Sequence, residues 1–139
     1  MCIRDRPRRV EAFAWNAIAS AYGSSPFFEY YQDDIRPFFE KRYEFLLDFN
    51  EEIRRTVCNL IGIEPHIEYS SSYSEPAPGE TDLRDVIHPK RRKAETILPV
   101  QLKPYYQVFS EKYGFQPDLS IIDLLMNMGP ESILILQNT

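Results

Sequence analysis

Apolar residues recur at helical spacing from the start of the chain. Val10, Phe13, Ala14, Ala17, Ile18 and Ala21 follow i, i+3, i+4, i+7, i+8, i+11, which predicts a helix with one apolar stripe, ended by Gly23. Ser25 offers an N-cap with Pro26 at the first helical position, ahead of a short aromatic helix carrying Phe27, Phe28, Tyr30 and Tyr31. Asp33 or Asp34 can cap a longer helix, with Pro37 tolerated in its first turn. Phe39, Tyr43, Leu46, Asn50, Ile53, Val57 and Leu60 alternate spacings of four and three, so one seam is expected over residues 35–61, closed by Gly62. Asn50 is the polar seam residue. It marks either a break at 48–50, with Asp48 as a cap and Glu51 three residues on, or a hydrogen bond to a neighbouring element. A homodimeric coiled coil is the bolder use of the seam, but Phe38, Phe45 and Phe49 make the stripe too wide for a two-helix contact and suit packing within the chain.

The period then shortens. Ile67, Tyr69, Ser71 and Tyr73 alternate with Glu68, Ser70 and Ser72, which predicts a half-buried strand, and residues 75–80, with Pro76, Pro78 and Gly79, read as a loop. Thr81 caps a helix of one to two turns through Ile87, which His88-Pro89 ends before the run Lys90, Arg91, Arg92, Lys93. Residues 97–102, bent by Pro99, lead to a second strand at 105–109, with Tyr105, Gln107 and Phe109 on one face and Tyr106 and Val108 on the other. Gly114 and Pro117 break that pattern. A short helix follows, capped by Asp118 or by Ser120 in a capping box with Asp123. Its Ile121, Ile122, Leu124, Leu125, Met126 and Met128 cover nearly the whole circumference, so it belongs in the interior, and Gly129 stops it. The expected fold is α+β and predominantly helical.

Several of these stretches form a recognisable set. Tyr-Tyr-Gln-Val-Phe at 105–109, Gly-Phe-Gln-Pro-Asp-Leu-Ser-Ile-Ile-Asp-Leu-Leu at 114–125 and Gly-Pro-Glu at 129–131 resemble the C-terminal signature of the WbqC-like protein family. Ser-Pro-Phe-Phe-Glu-Tyr-Tyr at 25–31 and Asp-Leu-Arg-Asp-Val-Ile-His-Pro-Lys at 82–90 support it, so the resemblance spans roughly residues 15–136. Family members also carry an N-terminal part with a hydrophobic strand and a Tyr/Pro-rich segment, which has no counterpart here. The resemblance therefore implies a fragment of a larger α/β-type single domain, with residues 10–139 as its C-terminal portion. It further implies a bacterial protein linked to cell-surface polysaccharide genes of the O-antigen type. The expected role is modification of a nucleotide-activated sugar, as a transferase or a component of one.

Composition narrows the classes. With 43% hydrophobic and 14% aromatic residues, the chain can build a packed core and should fold in water. Residues 1–9 have no apolar period and look like a spurious or disordered leader; they hold four Arg and one Asp, so setting them aside takes the formal charge from −5 to −8. So acidic a body argues against nucleic-acid binding. No apolar run is long enough for a membrane span, and Cys2 and Cys58 cannot frame a disulfide scaffold, so a cytoplasmic location is expected.

The candidate chemistry is sparse. His66 has no second His or Cys at ligand spacing, so no metal site is expected, and no cofactor is called for in the absence of a Gly-rich phosphate loop. The run from Lys90 to Lys93 reads either as a solvated loop or as an anion site in an acidic body, with Lys90 and Arg91 on phosphate and His88 at the edge as a titrating group. Tyr106 and Gln107 are candidates for sugar contacts, while Trp15 and Tyr22 flank an aromatic corner that suits either core packing or sugar stacking. His88, Asp118 and Asp123 are the acid–base candidates, although both aspartates also have explanations as helix caps. The alternative to an enzyme is a non-catalytic binding or assembly module in the same pathway.

Overall fold

A computed structural model describes residues 8–83 and 103–137. The chain divides into two units, one formed by Met1–Glu64 with Leu102–Thr139 and the other by Pro65–Gln101. In the first unit the elements are α1 (Arg8–Tyr22), α2 (Phe28–Ile35), α3 (Pro37–Glu40), α4 (Leu46–Ile61), α5 (Ser110–Tyr113), α6 (Ile121–Met128), a 3-10 turn at Gly129–Glu131 and α7 (Ser132–Gln137). The described chain is mostly helical.

Its core is built where the aromatic and aliphatic stripes meet. Phe28, Tyr31 and Ile35 from α2, Val57 and Ile61 from α4, and Leu125 and Met126 from α6 are buried together. Burying a side chain of this size contributes roughly 1.5–3 kcal/mol. Trp15 on α1 closes one side, with its ring 6.0 Å from both Phe28 and Phe39. The interior position expected for α6 is observed, since Leu124, Leu125 and Met126 are buried and only Ile121 at its first turn reaches the surface. Ser120 is its cap: the Ser120 Oγ accepts from the Ile122 amide at 3.3 Å. Gly129 ends the helix at φ 56°, and a Cβ there would stand 2.5 Å from the Phe27 ring.

Three expectations are corrected. Ser25 does not cap α2, which starts at Phe28 without a side-chain cap, because the Phe27 amide that such a cap would serve donates instead to the Met126 carbonyl at 3.1 Å. The seam over residues 35–61 is not one helix. The chain is extended at Lys41 (φ −76°, ψ 141°) and again at Phe45 (φ −118°, ψ 141°), so the break falls upstream of 48–50. Tertiary contacts hold this connector: Lys41 Nζ and the Tyr43 hydroxyl donate to Glu52 at 2.6 and 2.7 Å, and the Phe49 ring meets Phe38 and Tyr43 edge-on. Asn50 is exposed, and Val57 and Ile61 serve the intramolecular core, so no continuous coiled-coil seam exists among the described residues. Gly62 does close α4, in the left-handed region at φ 84°, with the Ile63 amide donating to the Cys58 carbonyl.

The third correction concerns strands. Neither 67–73 nor 105–109 forms one, because a strand needs a pairing partner and none stands beside either segment among the described residues. Residues 105–109 end instead in a turn leading into α5, which the residue pattern did not suggest. In the second unit, residues 65–83 are exposed and carry neither helix nor strand; Thr81 to Leu83 are not helical, and the rest of the helix expected through Ile87 lies outside the described residues.

Candidate functional site

One face of α6 is polar in an otherwise apolar helix. Asp123 and Asn127, one turn apart, both point to the segment that precedes α5. The Asn127 Oδ1 accepts from the Val108 amide at 3.0 Å, and its Nδ2 donates to the Asp123 carbonyl at 2.8 Å. Asp123, only 6% exposed, accepts at Oδ2 from the Tyr105 hydroxyl at 2.7 Å and from Gln107 Nε2 at 3.0 Å. Gln107 also closes the loop around α5, with Nε2 donating to the Gln116 carbonyl at 2.9 Å and Oε1 accepting from the Gln116 amide at 2.8 Å. The capping-box role for Asp123 is thereby replaced: its carboxylate turns inward to the 105–107 segment, leaving Ser120 to cap the helix alone.

Gln107, Val108, Gln116 and Asp123 border a pocket of about 370 Å³, a size in the lower part of the range for small-molecule sites. Tyr22 at the end of α1, Gln107, Gln116 and Asp123 supply its polar groups, and Val108, Phe109, Tyr113 and Leu119 its apolar walls. Burial, then the Asp123 charge and hydrogen bonding to it, push the Tyr22 phenol up to about 12. Tyr105 is raised well above the ordinary tyrosine value by burial first and its bond to Asp123 second, against an opposing pull from Gln107. Both phenols therefore stay protonated at neutral pH, holding their protons towards the carboxylate. The arrangement can accept hydrogen bonds from a ligand at Asp123 while aromatic faces cover its apolar side. Among the described residues no group of three or more His, Cys, Asp or Glu side chains could hold a metal ion.

Three of the residues singled out in the sequence thus come together: Tyr22, Gln107 and Asp123. Tyr106 does not join them, being 54% exposed and absent from the pocket wall. Asp118 is exposed in the loop at φ 60° and neither caps α6 nor lines the pocket. Trp15 is a packing residue against Phe28 and Phe39. His88, Lys90 and Arg91 lie outside the described residues. Sequence reasoning passed over Tyr105, Tyr113, Gln116 and Asn127; the shared face of Tyr105 with Gln107 and the one-turn spacing of Asp123 and Asn127 were the available signals.

A family model described as the WbqC-like protein family matches residues 2–98. The chain belongs to the WbqC-like protein family. No curated protein and no solved structure matches it. The matched span of this WbqC-like chain begins inside the segment set aside as a leader and includes the 25–31 and 82–90 stretches, but stops before 105–131. Of the pocket residues only Tyr22 falls within it. Among the described residues no helix is long and apolar enough to cross a membrane.

Proposed function

We propose that this WbqC-like protein is an enzyme or enzyme component that modifies a nucleotide-activated sugar during bacterial cell-surface polysaccharide biosynthesis in the cytoplasm, with the sugar held in the pocket beside Asp123. The observation that carries the reading is a buried carboxylate opening on a space walled by Phe109, Tyr113 and Leu119. A sugar ring has the matching duality, hydroxyl donors on its edge and a C–H face for the aromatic walls. The phosphate-binding role of His88, Lys90 and Arg91 rests on the sequence alone: four cations follow His88 in a chain of net charge −5.

Titrating nucleotide diphosphate sugars into the full chain tests this. Binding is expected to weaken with added salt and to weaken further in Lys90→Ala/Arg91→Ala, by about 1.5–3 kcal/mol for each charge-assisted hydrogen bond lost. Tyr113→Ala, at an exposed wall position, should weaken binding without unfolding the protein. Failure of every nucleotide sugar to bind would overturn the reading. The second reading, a non-catalytic binding or assembly module, has one observation in its favour: Gln107 and Asp123 are fully accounted for as the stitches that fasten the α5 loop to α6. Sugar binding with no change in the bound sugar, in the presence of cell extract, would select it.

A further inference from the structure

The side chains that meet Asp123 in the pocket wall are spent as donors towards it. Tyr105 has a single hydroxyl proton, and it goes to Asp123. The Gln107 carboxamide is taken up on both its atoms, by Asp123 and by the Gln116 backbone. Tyr22, on the wall, is turned towards the same carboxylate. What the Asp123 carboxylate and the Tyr22 oxygen keep for a ligand is lone pairs. Among the described residues, no Lys, Arg or His lines the pocket and no ion pair reaches Asp123. A carboxylate this buried is normally matched by a cation, because hydrogen bonds from neutral donors replace only part of the water it has lost.

We infer that the pocket takes a ligand's primary ammonium group against Asp123, on a ring small enough for the cavity, and so selects an amino sugar over its hydroxyl counterpart. An ammonium brings three donors and a positive charge to a site that offers acceptors and a negative one, whereas a hydroxyl at the same ring position brings one donor and no charge. A phosphate or carboxylate placed against Asp123 would meet like charge, so the anionic part of an activated sugar is kept away from that residue. The inference takes the sugar class from the proposed function but derives the amine from the pocket itself.

Glucosamine and glucose, titrated separately into the full chain and followed by NMR, provide the test. Glucosamine should bind at least about tenfold more tightly, the ratio set by one charge-assisted hydrogen bond. The advantage should shrink in Asp123→Asn and disappear as the pH rises through the titration of the amine. Because Asp123→Asn could loosen the fold, Leu119→Trp provides an independent arm: it fills the pocket from an exposed wall and should abolish glucosamine binding without shifting the thermal midpoint. Equal or tighter binding of glucose overturns the inference, as does glucosamine binding that Leu119→Trp leaves intact. Nucleotide sugars that bind with no preference for the amino form would sink the amine site and spare the proposed function. Asp123-dependent glucosamine binding without any nucleotide-sugar binding would do the reverse.

Discussion

At the scale of single residues, Asp123 and Gly129 show how much can depend on one atom. Tyr105→Phe removes one hydroxyl and leaves the buried Asp123 carboxylate with one donor fewer, which should cost roughly 1.5–3 kcal/mol in denaturant unfolding, the range for a hydrogen bond to a charged group. Tyr106→Phe, one residue on and exposed, should stay within about 0.5 kcal/mol. Equal losses in the two variants would mean that the 2.7 Å bond adds nothing to stability. Gly129→Ala is a second test. The new methyl meets the Phe27 ring at a distance real side chains do not reach, on a backbone at φ 56°, so a loss of at least about 1–3 kcal/mol is expected, part of which Phe27→Leu should relieve non-additively. Sequence made Asp123 visible as a candidate and also as a cap, and could not choose, because capping is local whereas its actual partners are sixteen and eighteen residues away.

At the scale of elements, pattern reading succeeded wherever the deciding contacts were local. The existence of α1, the closure of α4 at Gly62, and the Ser120 cap and mostly apolar surface of α6 were legible because each depends on neighbours within a turn or two. The face of α1 was not: Phe13, Ala17 and Ala21 of the expected stripe are exposed, and Trp15, Ala19 and Tyr22 pack on the core instead. It failed where tertiary contacts decided. Residues 35–61 have a continuous seam, yet the Lys41–Glu52 and Tyr43–Glu52 bonds and the Phe38, Tyr43 and Phe49 rings favour an extended connector over an unbroken helix. Likewise the alternation at 105–109 places Tyr105 and Gln107 correctly on one face, but that face meets a helix instead of a neighbouring strand. The interior placement of α6 gives a direct prediction: Leu124→Ala should destabilise by roughly 2–5 kcal/mol, measured by urea unfolding, as for any fully buried leucine. A loss well under 1 kcal/mol would show that α6 is peripheral to the fold.

At the scale of the whole first unit, Tyr22, Tyr105 and Asp123 tie the end of α1 and the 105–107 segment to α6, so the protonation of two phenols is coupled to folding. Tyrosine titrates near 10 when unfolded, and in the fold Tyr22 is raised to about 12 by burial and by Asp123, with Tyr105 raised further. The folded state thus disfavours phenolate more strongly than the unfolded chain does. A raised folded value contributes stability that is complete below pH 10 and is lost as pH climbs through the folded value, so the window for Tyr22 runs from 10 to about 12. Urea midpoints should therefore be level between neutral pH and about pH 9 as far as these phenols are concerned, then fall steeply above 10. Tyr31 and Tyr43 are shifted in the same direction, so alkaline loss will not vanish when one phenol is removed. The discriminating measurement is the slope: Tyr22→Phe should start less stable at neutral pH, lacking its contact with Asp123, yet lose less on going from pH 10 to 12 because one phenolate no longer has to form in a buried position beside a carboxylate. Parallel slopes for the parent and Tyr22→Phe would show that Tyr22 ionises without feeling either its burial or Asp123, and would remove the electrostatic link between α1 and the pocket.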